Sequence, residues 1–166
     1  MLRKRAWLVL VLIGFLVLFT VLLVFDWSSP DSEWKYYIEP CIFTASEEVN
    51  VGGITYSLRT YMYRDFMPIS PPDGRPLIVI IRVHALGVDD FPLSTIIERL
   101  WLIDGSNIIS MLPTEEYSVD GNTLEMVFLN GPKWGPDIFV DVIVKLIDTD
   151  FSFCVKAVDQ PIHRIS

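Results

Sequence analysis

The stretch ITYSLRTYMY, residues 54–63, decides the fold class. Ile54, Tyr56, Leu58, Thr60 and Met62 alternate with Thr55, Ser57, Arg59, Tyr61 and Tyr63. A period of two places the first set on one face of a strand and the second on the other, so the pattern predicts a strand with one buried face. LIVIIRVHAL, residues 77–86, follows Pro76 and repeats the pattern. Leu77, Val79, Ile81, Val83 and Ala85 share a face, while Ile78, Ile80, Arg82 and His84 make the other apolar at one end and polar at its far end. That predicts a central strand leaving the core.

Outward from these two, further strands are expected at Tyr36–Thr44, Ile96–Ile103, Asn107–Met111, Thr123–Leu129, Ile138–Ile147 and Phe151–Val158. Asp104-Gly105 and Asp120-Gly121-Asn122 carry hairpin chemistry, and Asp148-Thr149-Asp150 joins the last two strands. Ser94–Leu102 would allow a capped turn or two of helix, but strand is the preferred reading. No internal repeat or low-complexity tract interrupts the series. Many short strands with tight turns predict a mainly β fold, an antiparallel β-sandwich that is immunoglobulin-like in outline, with a barrel as the alternative.

The N-terminus is of another kind. Residues 6–25 read AWLVLVLIGFLVLFTVLLVF, without one charge. At about 1.5 Å per residue they would span roughly 30 Å, the thickness of a bilayer's hydrocarbon core. A signal peptide would have a shorter apolar run and end at small residues; this one ends Leu23, Val24, Phe25, Asp26, Trp27. An uncleaved transmembrane helix is expected. Arg3, Lys4 and Arg5 precede it and Asp26, Asp31 and Glu33 follow, so residues 1–5 should stay cytoplasmic. Residues 26–35 would be a linker, and 36–166 a domain in the periplasm or outside the cell. The helix has no GxxxG motif, so it offers no dimerisation signal of its own.

Charge narrows the partners. Of 13 basic residues, Arg3, Lys4 and Arg5 lie before the apolar run, leaving 10 against all 21 acidic ones, a net of −11 for the exported part. Such a domain should seek neither nucleic acid nor an anionic lipid surface.

Chemistry-bearing motifs are few. Cys41 and Cys154 fall in the first and last expected strands, which often neighbour one another, so a disulfide between them is a possible outcome; buried thiols are the other. His84 and His163, with Met62, Met67, Met111 and Met126, raise a copper question, but no two show a metal-site spacing. No metal or other cofactor is expected. Glu47-Glu48, Asp89-Asp90 and Glu115-Glu116 are adjacent carboxylates, which point apart on strands and are solvated in loops. No nucleophile elbow, zinc-protease motif or phosphate loop occurs, so the chain is not expected to be an enzyme or to take a small-molecule substrate.

Two loops stand out. Residues 64–76, RDFMPISPPDGRP, hold four prolines and three bulky apolar residues; residues 130–136, NGPKWGP, frame a tryptophan with Gly and Pro. Phe66, Met67, Pro68, Ile69, Pro71, Pro72, Lys133 and Trp134 are the candidate partner-binding residues. In the alternative, Phe66 and Trp134 fold back to cap the sheet. The function expected is that of an accessory subunit of a larger membrane complex, with integral-membrane partners, covering or bracing its exported side. The other reading is a free-standing assembly factor or a domain that binds a metal, sugar or client protein.

The topology is testable at once. A reporter fused after Ser166 should be active only outside the cytoplasm, and mature protein should retain residues 1–25. A soluble product beginning near Asp26 would overturn the anchor.

Overall fold

The computed structural model describes residues 39–114, 116–149 and 151–166. The expected membrane helix, the linker and the start of the first expected strand lie outside these. The described residues all belong to one compact unit. Among the described residues no helix is long and apolar enough to cross a membrane.

The fold is mainly β. A short helix, α1 (Cys41–Thr44), precedes nine strands: β1 (Glu48–Val51), β2 (Ile54–Asp65), β3 (Leu77–Leu86), β4 (Thr95–Asp104), β5 (Asn107–Met111), β6 (Tyr117–Asp120), β7 (Thr123–Gly131), β8 (Phe139–Asp148) and β9 (Phe151–Ile165). They form one curled sheet in the order β5-β4-β8-β9-β2-β3-β7-β6, with β1 paired to β2. The alternation read from residues 54–63 sets the inner face of β2: Tyr56, Leu58 and Met62 are buried there. Leu77, Val79, Ile81, Val83 and Ala85 do the same on β3. Val142, Val144 and Leu146 of β8 and Leu100 and Leu102 of β4 join them in one core.

Pairings between the named strands are antiparallel with one exception, and outside them Ser46 makes an isolated parallel bridge to Val155. Met62–Asp65 runs parallel to Ile162–Ile165. This departs from an all-antiparallel arrangement, and it follows from the length of β9. The last strand does not stop at Val158, as the sequence suggested. Asp159 adopts φ 52° and its N–H donates to the Asp141 carboxylate at 2.9 Å, which turns the chain locally and lets it continue through Pro161. β9 thus pairs with β8 along one part and with β2 along its end.

The expected strand Tyr36–Thr44 is corrected over its described part: Cys41–Thr44 is helical. Pro40 has no N–H to offer a ladder and opens a turn instead, with Ile42 N–H donating to Glu39 O and Phe43 N–H to Pro40 O, both at 3.1 Å. Ile42 then packs on the outer face of the sheet, beside Trp101, Ile143 and Cys154. Strands β1 and β6 were not expected. β1 arises because Gly52 and Gly53 both take positive φ and fold Val51 onto Ile54.

Three contacts bind the N-terminal segment to the sheet. Cys41 and Cys154 form a disulfide with Cα atoms 5.8 Å apart. Lys156 N–H donates to Ser46 O at 2.9 Å. The Lys145 ammonium sits 2.7 Å from carboxylate oxygens of both Glu39 and Glu98, and these hydrogen bonds, first Glu39 and then Glu98, hold its pKa above the usual lysine range.

Because the bridge closes a separation of 113 residues, removing it by Cys41→Ser with Cys154→Ser should destabilise the domain by about 2–5 kcal/mol in denaturant unfolding. Wild type should migrate faster without reductant. Thiols that alkylate freely in the folded protein would contradict this.

Candidate functional site

The loop of residues 66–76 leaves β2 and returns as β3. Its base is closed by Asp65, whose carboxylate accepts Met67 N–H at 2.8 Å and lies 3.6 Å from the Arg75 guanidinium, while Arg75 N–H donates to Asp65 O at 2.9 Å. Two turns follow inside it, Ser70 N–H to Met67 O and Gly74 N–H to Pro71 O. Gly74 is required: its φ is +75°, and a Cβ there would stand 2.6 Å from the Phe66 ring. The loop of residues 132–138 runs from β7 to β8 and is tied to β9, Asp137 N–H donating to Ile162 O at 3.0 Å.

Arg64 brings the two loops together. It continues the inward alternation of Tyr56, Leu58, Thr60 and Met62, so its side chain enters the interior, where the residue is only 4% exposed. Its Nε donates to Arg75 O at 3.0 Å, its Nη1 to Lys133 O at 3.1 Å and Gly135 O at 2.8 Å, and its Nη2 to Asp73 O. A buried guanidinium needs its fork of donors satisfied, and these four carbonyls, two from each loop, do so. Outside, the Lys133 ammonium pairs with the Asp73 carboxylate and lowers that carboxyl's pKa from the ordinary value. The Phe66 ring lies under two guanidinium groups, Arg164 at 4.2 Å from its centroid and Arg64 at 5.0 Å.

The candidate residues therefore divide. Phe66 and Trp134 are half-buried, and Trp134 packs against the central core. Met67, Pro68, Ile69, Pro71, Pro72 and Lys133 face solvent, with Ile69 86% and Met67 45% exposed. The arrangement offers a fixed apolar crest and an ion pair on one surface. Arg64 went unremarked in the sequence reading, although its place in the alternation of β2 was the available signal.

Other chemistry is dispersed. His84 Nδ1 is 2.9 Å from the Thr123 hydroxyl, and burial, then the charges of Arg59 and Arg82, lower its pKa. His163 stacks on Tyr61, ring centroids 5.2 Å apart. Met62, Met111 and Met126 are buried. Among the described residues no three His, Cys, Asp or Glu side chains gather as a metal site.

One concavity was not legible in the sequence. An apolar cavity of about 210 Å³ lies between the start of β4 and β6, floored by Phe91 and Met126.

Arg64→Ala would leave several loop carbonyls without their donor. It should destabilise the domain by about 3–5 kcal/mol and speed proteolysis within residues 66–76, whereas Lys133→Ala, which removes only an exposed ion pair, should leave the unfolding midpoint close to wild type. Equal effects of the two would show that the buried clamp contributes nothing special.

Comparison with protein families, with characterised proteins and with solved structures finds no match to this chain.

Proposed function

We propose that this chain is a non-enzymatic, single-pass membrane protein. Residues 6–25 anchor it in the inner or plasma membrane with the N-terminus cytoplasmic, and a sandwich-like domain, immunoglobulin-like in outline, stands in the periplasm or outside the cell. In this reading it is an accessory subunit that covers or braces the exported side of a larger membrane complex, and its partners are integral-membrane proteins.

The observation that carries the reading is the exposed crest on a clamped base. Met67, Pro68, Ile69, Pro71 and Pro72 stay in water although the loop that bears them is held by Arg64, Asp65 and Gly74. A solvated loop has no need of such residues; a contact surface does. Prolines and internal turns remove much of the ordering entropy before a partner arrives, so less binding free energy is lost to immobilisation. The two loops carry little net charge in a domain of −11, so a partner can cover them without desolvating many carboxylates. The disulfide is in keeping with an oxidising compartment. The free-standing alternative, an assembly factor or ligand-binding domain, calls for a pocket with converging polar groups, and the hydroxyls of Thr95 and Thr114 at the cavity are already engaged within the fold.

Mild-detergent purification with mass spectrometry should recover specific integral-membrane proteins at fixed stoichiometry. Met67→Asp with Ile69→Asp should lower their yield by about tenfold or more, with the thermal midpoint within a few degrees of wild type. Undiminished recovery would remove the crest from the interface, and a chain purified alone would end the subunit reading.

A further inference from the structure

We propose that the cleft between β4 and β6 accepts an extended segment of a partner protein, flanked by basic residues, as an added β-strand. This is independent of the loop crest and of the subunit reading.

The curled sheet does not close on itself. β5 lies at one end and pairs with β4 over Leu100–Asp104 only. The edge of Thr95–Ile97 turned away from β8 therefore carries no strand among the described residues. β6 lies at the other end and, among the described residues, pairs only with β7. Both unpaired edges border the same cavity of about 210 Å³. Thr95, Ile96 and Ile97 are consecutive, yet all three line it. Successive side chains point to opposite faces, so three in a row meet one cavity only where it lies along the strand's edge.

The edge of β6 is set for pairing. Asp120 and Thr123 are partners across the two-residue turn Gly121-Asn122. In such a hairpin the pair beside the turn exchanges both main-chain hydrogen bonds, and alternation then directs the N–H and C=O of Val119 and Tyr117 outward. These same residues line the cleft, 39% and 63% exposed. Main chain that seeks a ladder and side chains that seek an apolar neighbour thus occur together, which is what strand addition satisfies.

The remaining groups narrow the occupant. The Thr95 hydroxyl is 3.2 Å from Tyr56 Oη, and the Thr114 hydroxyl donates to Val127 O at 2.8 Å. Both threonine hydroxyls are engaged within the fold, so beside the exposed Tyr117 hydroxyl the polar complement the cleft offers is backbone. No lysine or arginine lines it. Asp89 and Asp90 lead into Phe91, whose N–H donates to Gly121 O at 2.8 Å and fixes that loop beside the hairpin. An apolar strip with the Asp89 and Asp90 carboxylates beside one end fits alternate apolar side chains with terminal Lys or Arg. At about 3.3 Å per residue, the edge of β6 matches a segment of roughly four to five residues.

The test uses the full-length chain in lipid nanodiscs and a fluorescent peptide, acetyl-Lys-Val-Thr-Val-Thr-Val-Lys-amide. Binding should be saturable by anisotropy and should slow hydrogen exchange at the Tyr117 and Val119 amides. Methylating the peptide's alternate backbone nitrogens should weaken it about tenfold or more, and Val119→Pro should do likewise, while Val119→Thr, which keeps the N–H, should stay within about threefold of wild type. The methylated peptide tests the idea on unaltered protein should Val119→Pro fail to fold. Asp89→Asn with Asp90→Asn should weaken binding and flatten its salt dependence. No binding overturns the proposal. Binding indifferent to methylation also does, and marks the cleft as a site for apolar molecules. Exchange protection that rises with protein concentration alone overturns it in favour of a second copy of this chain.

Discussion

Strand β9 is the constraint on which the rest of the structure depends. It pairs antiparallel with β8 and parallel with β2, so it joins the part of the sheet containing β4 and β5 to the part containing β3, β6 and β7. Unpaired N–H and C=O groups at a buried edge are expensive, and one strand serving both sides removes two such edges. The joint also brings distant residues together. Thr60 donates to the Gln160 side chain at 2.7 Å, Phe66 N–H to Ile165 O at 2.8 Å, and Lys156 N–H to Ser46 O at 2.9 Å. Cys154, on the outer face of the same strand, holds the N-terminal segment through its disulfide.

From that joint the loop surface follows. β9 supplies Ile162 to the second loop and Arg164 to the ring of Phe66, while β2, its parallel neighbour, supplies Arg64. An arginine serves where a lysine would not, because a planar fork with several donors can reach carbonyls on two loops at once. The clamp is paid for by satisfied hydrogen bonds rather than by a partner carboxylate, and the carboxylate of Asp73 is left outside to hold Lys133. Polar groups inside fix the base of the loops, and apolar groups outside remain at the crest. That inversion of the usual order separates this surface from an ordinary connection.

The same topology leaves the opposite problem unsolved elsewhere. A sheet that curls without closing must end, and here its ends are β5 and β6. The crossover between them passes through Pro113, which has no N–H to continue the ladder along β4. A short apolar cleft lies between the start of β4 and one of those ends, β6.

How much of this was legible in the residues depends on the range of the interaction involved. Period-two alternation at 54–63 and 77–86 depends on residues two apart, so the strands and their inward faces could be read directly. Asp-Gly and Asp-Gly-Asn marked hairpins for the same local reason. The prolines and bulky groups of residues 64–76 marked an unusual loop, and the unbroken apolar run of residues 6–25 marks a segment of membrane length. What tertiary structure alone decided is every pairing between distant segments: the parallel contact of β2 with β9, the disulfide across 113 residues, and the gathering of two loops around Arg64. Each depends on which backbone edge or carbonyl arrives opposite a given residue. Periodicity states which face of a strand is buried; only the completed sheet determines what is buried against it.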